Sequence, residues 1–398
     1  MQIFYLVSVL LIFLGIVMYK DFLNPVTIYN IIWGIIVALY SLRLTSLQDE
    51  LSIRLYEYLL LVSFCFSSTC IIASKVRLVN FKLKGNETIS IDKVNRLFYF
   101  WLAIEIIEVV YSKGVPIIWS LSGNGKTYFD FGIPSIHGFA NAFGLALVSV
   151  FFSIYLVNKY NNKRLLYSIC IMILFYACLL TRQVIISMVV QMFIIYCFYR
   201  RKIPWRKMLI IAIVGILLFG ILGNIRTGYT AFLNVAMINT DINPLFIGVY
   251  WVYMYLTMTI ANLNKVFSLN FVPIGAIHIF SVYMPSIIRN ALFKNNTYEL
   301  PNYLVTQAFN VSGYFMDFYL SYKVAGIVFI AVIYGLLGGV IYKKIRKSRN
   351  QKNIIYYAIY LQILSLSFFY NHLLYLPSGF QFIIIWLIFK NIKLKFKR

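Results

Sequence analysis

Acidic side chains are scarce in this chain. Its 398 residues hold 12 Asp and Glu against 36 Lys and Arg, and only 12% of residues are charged, where a soluble domain has about 25%. That shortage excludes an ordinary water-soluble domain. Histidine is rarer still, with 3 in the chain. His137, His278 and His372 stand far apart, and no H-E-x-x-H or paired-carboxylate box accompanies them, so no metal is expected. The five cysteines, Cys65, Cys70, Cys170, Cys178 and Cys197, all lie within apolar runs. Without a C-x-x-C or Cys/His spacing they suggest neither zinc nor a disulfide framework. There is no G-x-x-x-x-G-K-[ST] loop and no Rossmann glycine fingerprint, so no nucleotide cofactor is expected either. Whatever drives the chemistry of such a chain must arrive with the substrate.

What is abundant is apolar sequence: 61% of residues are hydrophobic and the mean hydropathy is +0.81. Many runs approach the roughly 20 apolar residues that cross a bilayer. The expected fold is an all-α, polytopic integral membrane protein, read as one membrane domain over 1–398. Eleven spans are expected, at about 3–19, 26–44, 55–74, 97–111, 136–158, 165–181, 183–199, 208–223, 326–342, 353–370 and 379–390. The first run, Ile3 to Tyr19, lacks a basic n-region and a small-residue cleavage site, so it reads as a retained span.

The formal charge of +24 does not point to nucleic acid. Lys and Arg gather in the connections Lys75–Arg96, Lys159–Arg164, Arg200–Lys207 and Lys343–Lys352 and in the tail from Lys390. Cytoplasmic loops carry this excess by the positive-inside rule, and it also attracts anionic membrane lipid. The expected orientation has the N-terminus outside and the C-terminus in the cytoplasm.

One stretch departs from the pattern of short turns. From Gly223 to Lys323 the chain is rich in Tyr, Asn, Trp and Pro, and it is expected to form a long outer loop over 224–325. Within it, 244–260 and 271–288 are apolar enough to enter the membrane. Pro273, Gly275 and Pro285 spoil the second as a straight helix, and both are expected as interfacial helices.

Charges away from the basic loops are costly in a membrane, at roughly 2.5–3.5 kcal/mol each near its centre, and so mark candidate sites. Arg182, between two apolar runs, can offer a planar fork of donors to a phosphate, or simply reach to water from a tight turn. Arg226 lies between Gly223 and Gly228 at a helix exit, where backbone and guanidinium can meet an anion. The turn Gly132-Ile133-Pro134 delivers His137 to the mouth of a helix, with Asn141 one turn below it. His137 suits proton transfer near neutral pH or a structural hydrogen bond. Glu105 and Glu108 share a helix face; one can accept a proton, though structural pairing is the plainer reading. Late in the long stretch, Tyr303, Asn310 and Asp317 combine rings, amides and a carboxylate as sugar contacts do. Arg289 and Asp317 are the charges there to test.

The chain resembles the bacterial oligosaccharide repeat-unit polymerases of O-antigen, capsule and exopolysaccharide assembly. The resemblance is carried by Phe131-Gly132-Ile133-Pro134 with His137-Gly138, by Arg182 opening a helix, and by Gly223-Asn224-Ile225-Arg226-Thr227-Gly228. It continues in the aromatic run before Ala261-Asn262-Leu263-Asn264 and in Ala308-Phe309-Asn310-Val311 with Tyr319. It implies a GT-C-like fold and a transferase in the bacterial cytoplasmic (inner) membrane. That enzyme moves a growing glycan from undecaprenyl pyrophosphate onto an incoming lipid-linked repeat unit at the outer face. On this resemblance Arg182, Arg226 and Arg289 would meet pyrophosphate, His137, Glu105 and Arg226 would serve catalysis, and no cofactor is needed. Asn141, Trp251, Asn262, Tyr303, Asn310 and Asp317 would hold sugars, and a chain-length regulator is a possible protein partner. The Arg-x10-Gly pattern of some such polymerases is missing, because Phe193 and Met237 stand where glycine would be. An O-antigen ligase and a lipid-linked oligosaccharide flippase remain as alternatives.

Overall fold

In a computed structural model the described residues are mostly α-helical. Residues 2–76, 89–123, 125–158, 161–238, 243, 246–293 and 300–390 are described, with backbone alone at 219, 222, 226 and 227. Most of the basic connection between Lys75 and Arg96, Lys159, and the tail beyond Lys390 lie outside them. The helices are α1 Gln2–Tyr19, α2 Pro25–Tyr40, α3 Ile53–Lys75, α4 Ile91–Ser112, α5 Pro116–Ser122 and α6 Ile136–Val157. There follow α7 Lys163–Cys178, α8 Arg182–Arg200, α9 Trp205–Thr227, α10 Tyr229–Ala236, α11 Ile247–Ser268 and α12 Ala276–Tyr283. The last are α13 Ser286–Leu292, α14 Met316–Lys347, α15 Gln351–Ser365, α16 Leu376–Gly379 and α17 Gln381–Phe389.

Local chemistry sets several starts. Asn24 accepts the backbone N–H of Thr27 at 2.9 Å with Pro25 in the first turn, and Ser52, Ser90 and Asn162 cap α3, α4 and α7. Each supplies an oxygen to a backbone donor that the helix leaves unpaired.

Among the described residues six helices are long and apolar enough to cross a membrane: α1, α3, α6, α8, α9 over Trp205–Ile225, and α14. A helical, membrane-embedded protein follows. Each of the other expected spans also falls on a helix, but one that is shorter or more polar. Exposed Ile3, Leu6, Leu10 and Phe13 on α1, and Leu209, Ile210, Ile213 and Leu217 on α9, suit contact with hydrocarbon.

The chain forms two compact units. Unit 1 comprises 1–76, 206–343 and 363–374; unit 2 comprises 77–205, 344–362 and 375–398. In unit 1, α2 packs on α1, and α11 lies against α2 and α3. On α14, Gly335 and Gly339 face α3. A Cβ on Gly335 would stand 2.5 Å from the Phe66 carbonyl oxygen and collide with Thr69, and one on Gly339 would reach the Cys70 carbonyl. The two backbones meet because those side chains are missing. Buried polar groups tie further pieces together: Trp33 Nε1 donates to Ser367 Oγ at 3.2 Å, and Tyr334 Oη to Asn371 Oδ1 at 2.9 Å.

The expected long loop is largely helix. Asn224 to Thr227 belong to α9, and α14 begins at Met316. The stretch expected at the interface from 244 holds α11, whose 22 residues span about 33 Å at 1.5 Å per residue. Fourteen of them are buried. Its apolar and aromatic residues occupy several faces, so it needs cover on several sides rather than one. The second stretch breaks into α12 and α13 at Gly275 and Pro285, as those residues dictate.

Unit 2 is built around α6, which contacts α4, α7, α8, α16 and α17 and buries 13 of its 22 residues. A wholly buried amide cluster links its helices. Ser149 Oγ donates to Gln191 Oε1 at 2.6 Å, and Gln191 Nε2 donates to Gln362 and Gln381 at 3.0 and 2.9 Å.

Candidate active site

In unit 2 the last turns of α4 meet the first turn of α6, and the chain between them folds back over the junction. Thr127 caps a short turn at Tyr128–Asp130 reciprocally with Asp130, whose carboxyl is held below its usual range by the Thr127 backbone N–H. The next residues latch onto α4. Gly132 N–H donates to Ser112 Oγ at 2.9 Å and Ile133 N–H to Glu108 Oε1 at 3.1 Å. Lys126 Nζ reaches the Ser112 carbonyl at 3.2 Å and lies 5.0 Å from the centre of the Trp119 ring.

This latch sets His137 in place. Its Nδ1 is 2.7 Å from Glu108 Oε2, and its Nε2 is 3.0 Å from Asn141 Nδ2. A carboxylate accepts and an amide N–H donates, so a neutral His137 carries its proton on Nδ1 and turns a lone pair to Asn141. Glu108 is fully buried, while a quarter of the His137 side chain is exposed. The imidazole is therefore oriented from inside and reachable from outside. Gly132 has φ +93°, and a Cβ there would sit 2.6 Å from His137 Cγ. Glycine is thus required both by the turn and by the ring pressed against it. Phe131 packs its edge on the same ring, with centroids 5.5 Å apart.

Glu105 stands differently. It is fully buried, and its Oε1 accepts from Tyr176 Oη at 3.3 Å, with Trp101 Nε1 donating to the same hydroxyl. Enclosed in this way it offers substrate no open face, so the carboxylate in the His137 site is Glu108 and not Glu105. Arg182 opens α8 after a turn in which Leu180 takes φ +56°. It is only 7% exposed, so it points into protein and does not reach out to water.

The remaining candidates lie in unit 1. Arg226 is in the last turn of α9, with its side chain outside the described part, and Arg289 is half-buried in α13. Asn262 is no sugar contact. Its Nδ2 donates to the Phe309 and Val311 carbonyls at 2.9 and 2.7 Å, and its Oδ1 accepts from Val305 N–H at 2.8 Å, all in the interior. Both amide hydrogens are occupied in clamping the chain. Trp251 is 4% exposed, stacked on Phe232 at 4.2 Å, with Nε1 donating to Asn224. Its ring is covered, so it too serves packing. Asn310 is exposed.

Asp317 anchors a cluster that sequence reading did not assemble. His278 Nε2 lies 3.0 Å from Asp317 Oδ1, and Tyr283 Oη donates to Oδ2. Tyr303 stands near enough to feel the carboxylate: burial, and then the Asp317 charge, push its hydroxyl up to about 12. The same two causes raise Tyr283 well above its usual value. Of the two phenols, Tyr283 is the one that donates to the carboxylate. His278 and Asp317 are 39 residues apart, and no local pattern would have paired them.

Among the described residues no cluster of three His, Cys, Asp or Glu side chains is arranged to hold a metal ion. No family model, no curated protein and no solved structure matches the chain.

Proposed function

We propose that this protein polymerises lipid-linked oligosaccharide repeat units in a bacterial cytoplasmic membrane, passing the growing glycan from undecaprenyl pyrophosphate to an incoming lipid-linked unit at the outer face. The observation that supports this reading most is the Glu108–His137–Asn141 relay. It is an oriented, partly open imidazole at a helix mouth, in the turn that carries the resemblance to repeat-unit polymerases. In this reading the chain crosses the membrane eleven times in a GT-C-like arrangement, with the N-terminus outside and the C-terminus inside.

His137 takes the proton of the acceptor hydroxyl as that oxygen attacks the anomeric carbon. To do so, Nε2 exchanges its Asn141 hydrogen bond for one to the hydroxyl. Glu108, buried behind the ring, stabilises the imidazolium that forms. The bond from the anomeric carbon to the pyrophosphate breaks, and its electron pair leaves with the phosphate oxygen. Arg182, in the same unit as His137, is the cationic contact for the pyrophosphate. The donor is already activated, so the reading calls for no nucleotide.

Deletion of the gene tests the reading, with surface glycan examined by gel and mass spectrometry. Single repeat units on the final acceptor and no ladder are expected. Full-length polymer left on the lipid carrier would identify a ligase, and repeat units trapped on the cytoplasmic side a flippase. Within the polymerase reading, Arg182→Ala is expected to lower the rate by about 10²–10³, the loss seen when a donor to developing charge is removed. Normal chain lengths at a normal protein level would remove Arg182 from the site.

A further inference from the structure

The enclosed Glu105 has a feature that the mechanism above leaves unused. Its Oε1 accepts from Tyr176, but its Oε2 is buried without a hydrogen-bond partner. Asn141 Oδ1, on the facing helix, is likewise buried without one. An acceptor left open in an interior is costly, and the second of these two belongs to the amide that bonds the His137 imidazole.

The helix register brings them to the same level. Glu108 on α4 meets His137 on α6, Phe100 meets Phe143 with centroids 5.9 Å apart, and Phe98 meets Phe151 at 6.0 Å. As α4 is followed backwards, α6 is followed forwards, so the two run antiparallel. One turn back from Glu108 is Glu105, and one turn on from His137 is Asn141. The Tyr176 hydroxyl confirms the level, for it lies within hydrogen-bond distance of both Glu105 Oε1 and the carbonyl of Ala140, the residue before Asn141.

Two buried acceptors at one level can be satisfied by one hydrogen between them. The titratable groups facing Glu105 are Glu108 from its own helix, Tyr176 from α7 and, beyond Asn141, His137 from α6. None is a cation with His137 neutral. A second bare carboxylate one turn from Glu108 would be an uncompensated buried charge. We propose that Glu105 is a proton-bearing acid that donates to Asn141 Oδ1, and that this bond fixes the amide with Nδ2 toward His137 Nε2 and so holds His137 in the Nδ1–H form that can accept a proton. Glu105 is then a positioning residue for the base, acting through Asn141. The donors and acceptors fall into a single direction: Glu105 to Asn141, Asn141 to His137, His137 to Glu108.

The amide explains why a proton at Glu105 matters. If Glu105 were ionised, Asn141 would turn its Nδ2 to the carboxylate and its Oδ1 to the imidazole. With an acceptor at each nitrogen, His137 would then be drawn to carry a proton on Nε2 as well as Nδ1, and could not take one there from substrate. Loss of the Glu105 proton therefore switches the base off, and sets an alkaline limit on turnover.

This inference rests on the polymerase reading for its activity arm and stands apart from it in its spectroscopic arm. Infrared spectra of the purified protein in lipid should show the C=O stretch of a buried carboxylic acid at neutral pH, shifted in deuterated buffer and missing in Glu105→Gln. No such band, or one unchanged in Glu105→Gln, would overturn the proposal whatever the protein does. In the activity arm, Glu105→Gln keeps an N–H in place of the acid O–H. It should retain a rate within about threefold of wild type while losing the alkaline limb of the pH profile, and Glu105→Ala should fall more than about tenfold, as displaced general bases do. Equal loss in both variants, or an unaltered alkaline limb in Glu105→Gln, would sink it. If the wild-type protein polymerises nothing, the functional reading falls and the infrared band alone decides the proton.

Discussion

On the proposed reading as a polymerase, Glu108→Gln is expected to slow glycan polymerisation by about 10² or more, the scale of an oriented general base. The reason is a count of acceptors. Glu108 uses Oε1 for the Ile133 N–H at 3.1 Å and Oε2 for His137 Nδ1 at 2.7 Å. A glutamine has one oxygen and cannot serve both. If it keeps His137, the Ile133 N–H loses its partner and the Gly132 turn loosens against the ring. If it keeps Ile133, the glutamine NH2 faces Nδ1, the proton moves to Nε2, and that atom can no longer accept one. Either outcome disables the base without removing any bulk. Rates with purified protein in lipid nanodiscs, compared at matched protein level and thermal midpoint, would test this. A rate within about threefold of wild type would show that the carboxylate does not act through His137.

The second large effect concerns assembly rather than chemistry. Gly335→Leu and Gly339→Leu are each expected to destabilise unit 1 by at least about 2 kcal/mol, toward the upper end of overpacking costs. The atoms that a new side chain would meet are mostly backbone: the carbonyls of Phe66 and Cys70 and the amide of Ser74. Backbone in a helix cannot swing aside as a flexible side chain does, so α3 and α14 must separate along their length. Thermal unfolding in detergent, followed by size-exclusion profile and protein level in membranes, should show the loss. Gly34→Leu is the control, because nothing lies within 4 Å of a Cβ there. If the control and the two variants melt alike, the close crossing does not hold unit 1 together.

The helices were legible in the sequence because hydrophobic length is a local property. Each expected span falls on a helix, and the breaks at Gly275 and Pro285 appear where those residues stand. The candidate site was legible only in part. His137 and Asn141 could be paired, since one helical turn separates them. The partner of His137 could not: Glu108 lies 29 residues earlier, and only the latch of Gly132 and Ile133 onto α4 brings it there. Glu105 and Glu108 look alike in sequence, as two carboxylates on one face. What separates them is the neighbour each meets on α6 and α7. Asn262 and Trp251 misled for a related reason. An amide and an indole near an outer face suit sugar, but they suit a buried clamp equally well, and only the carbonyls of Phe309 and Val311 decide between the two. The glycines of α14 were read as part of an apolar run, although their four-residue spacing already permits close helix approach.

The interleaving of the two units has a consequence for synthesis. Unit 1 takes its first segment from residues 1–76 and its second from 206–343, so α2 and α3 leave the ribosome well before α11, against which they pack, exists. The intervening stretch of unit 2 requires about 10 s of translation at ordinary rates of 5–20 residues per second. Throughout that interval Asn30, Trp33 and Ser67, whose surroundings in the finished protein are interior, must be sheltered by lipid, by the insertion machinery or by each other. The Asn30 amide already bonds the Ser67 hydroxyl at 3.1 Å within this first segment. The nascent α2–α3 pair can therefore join one buried amide N–H to a hydroxyl of its own while it waits for the rest of its core.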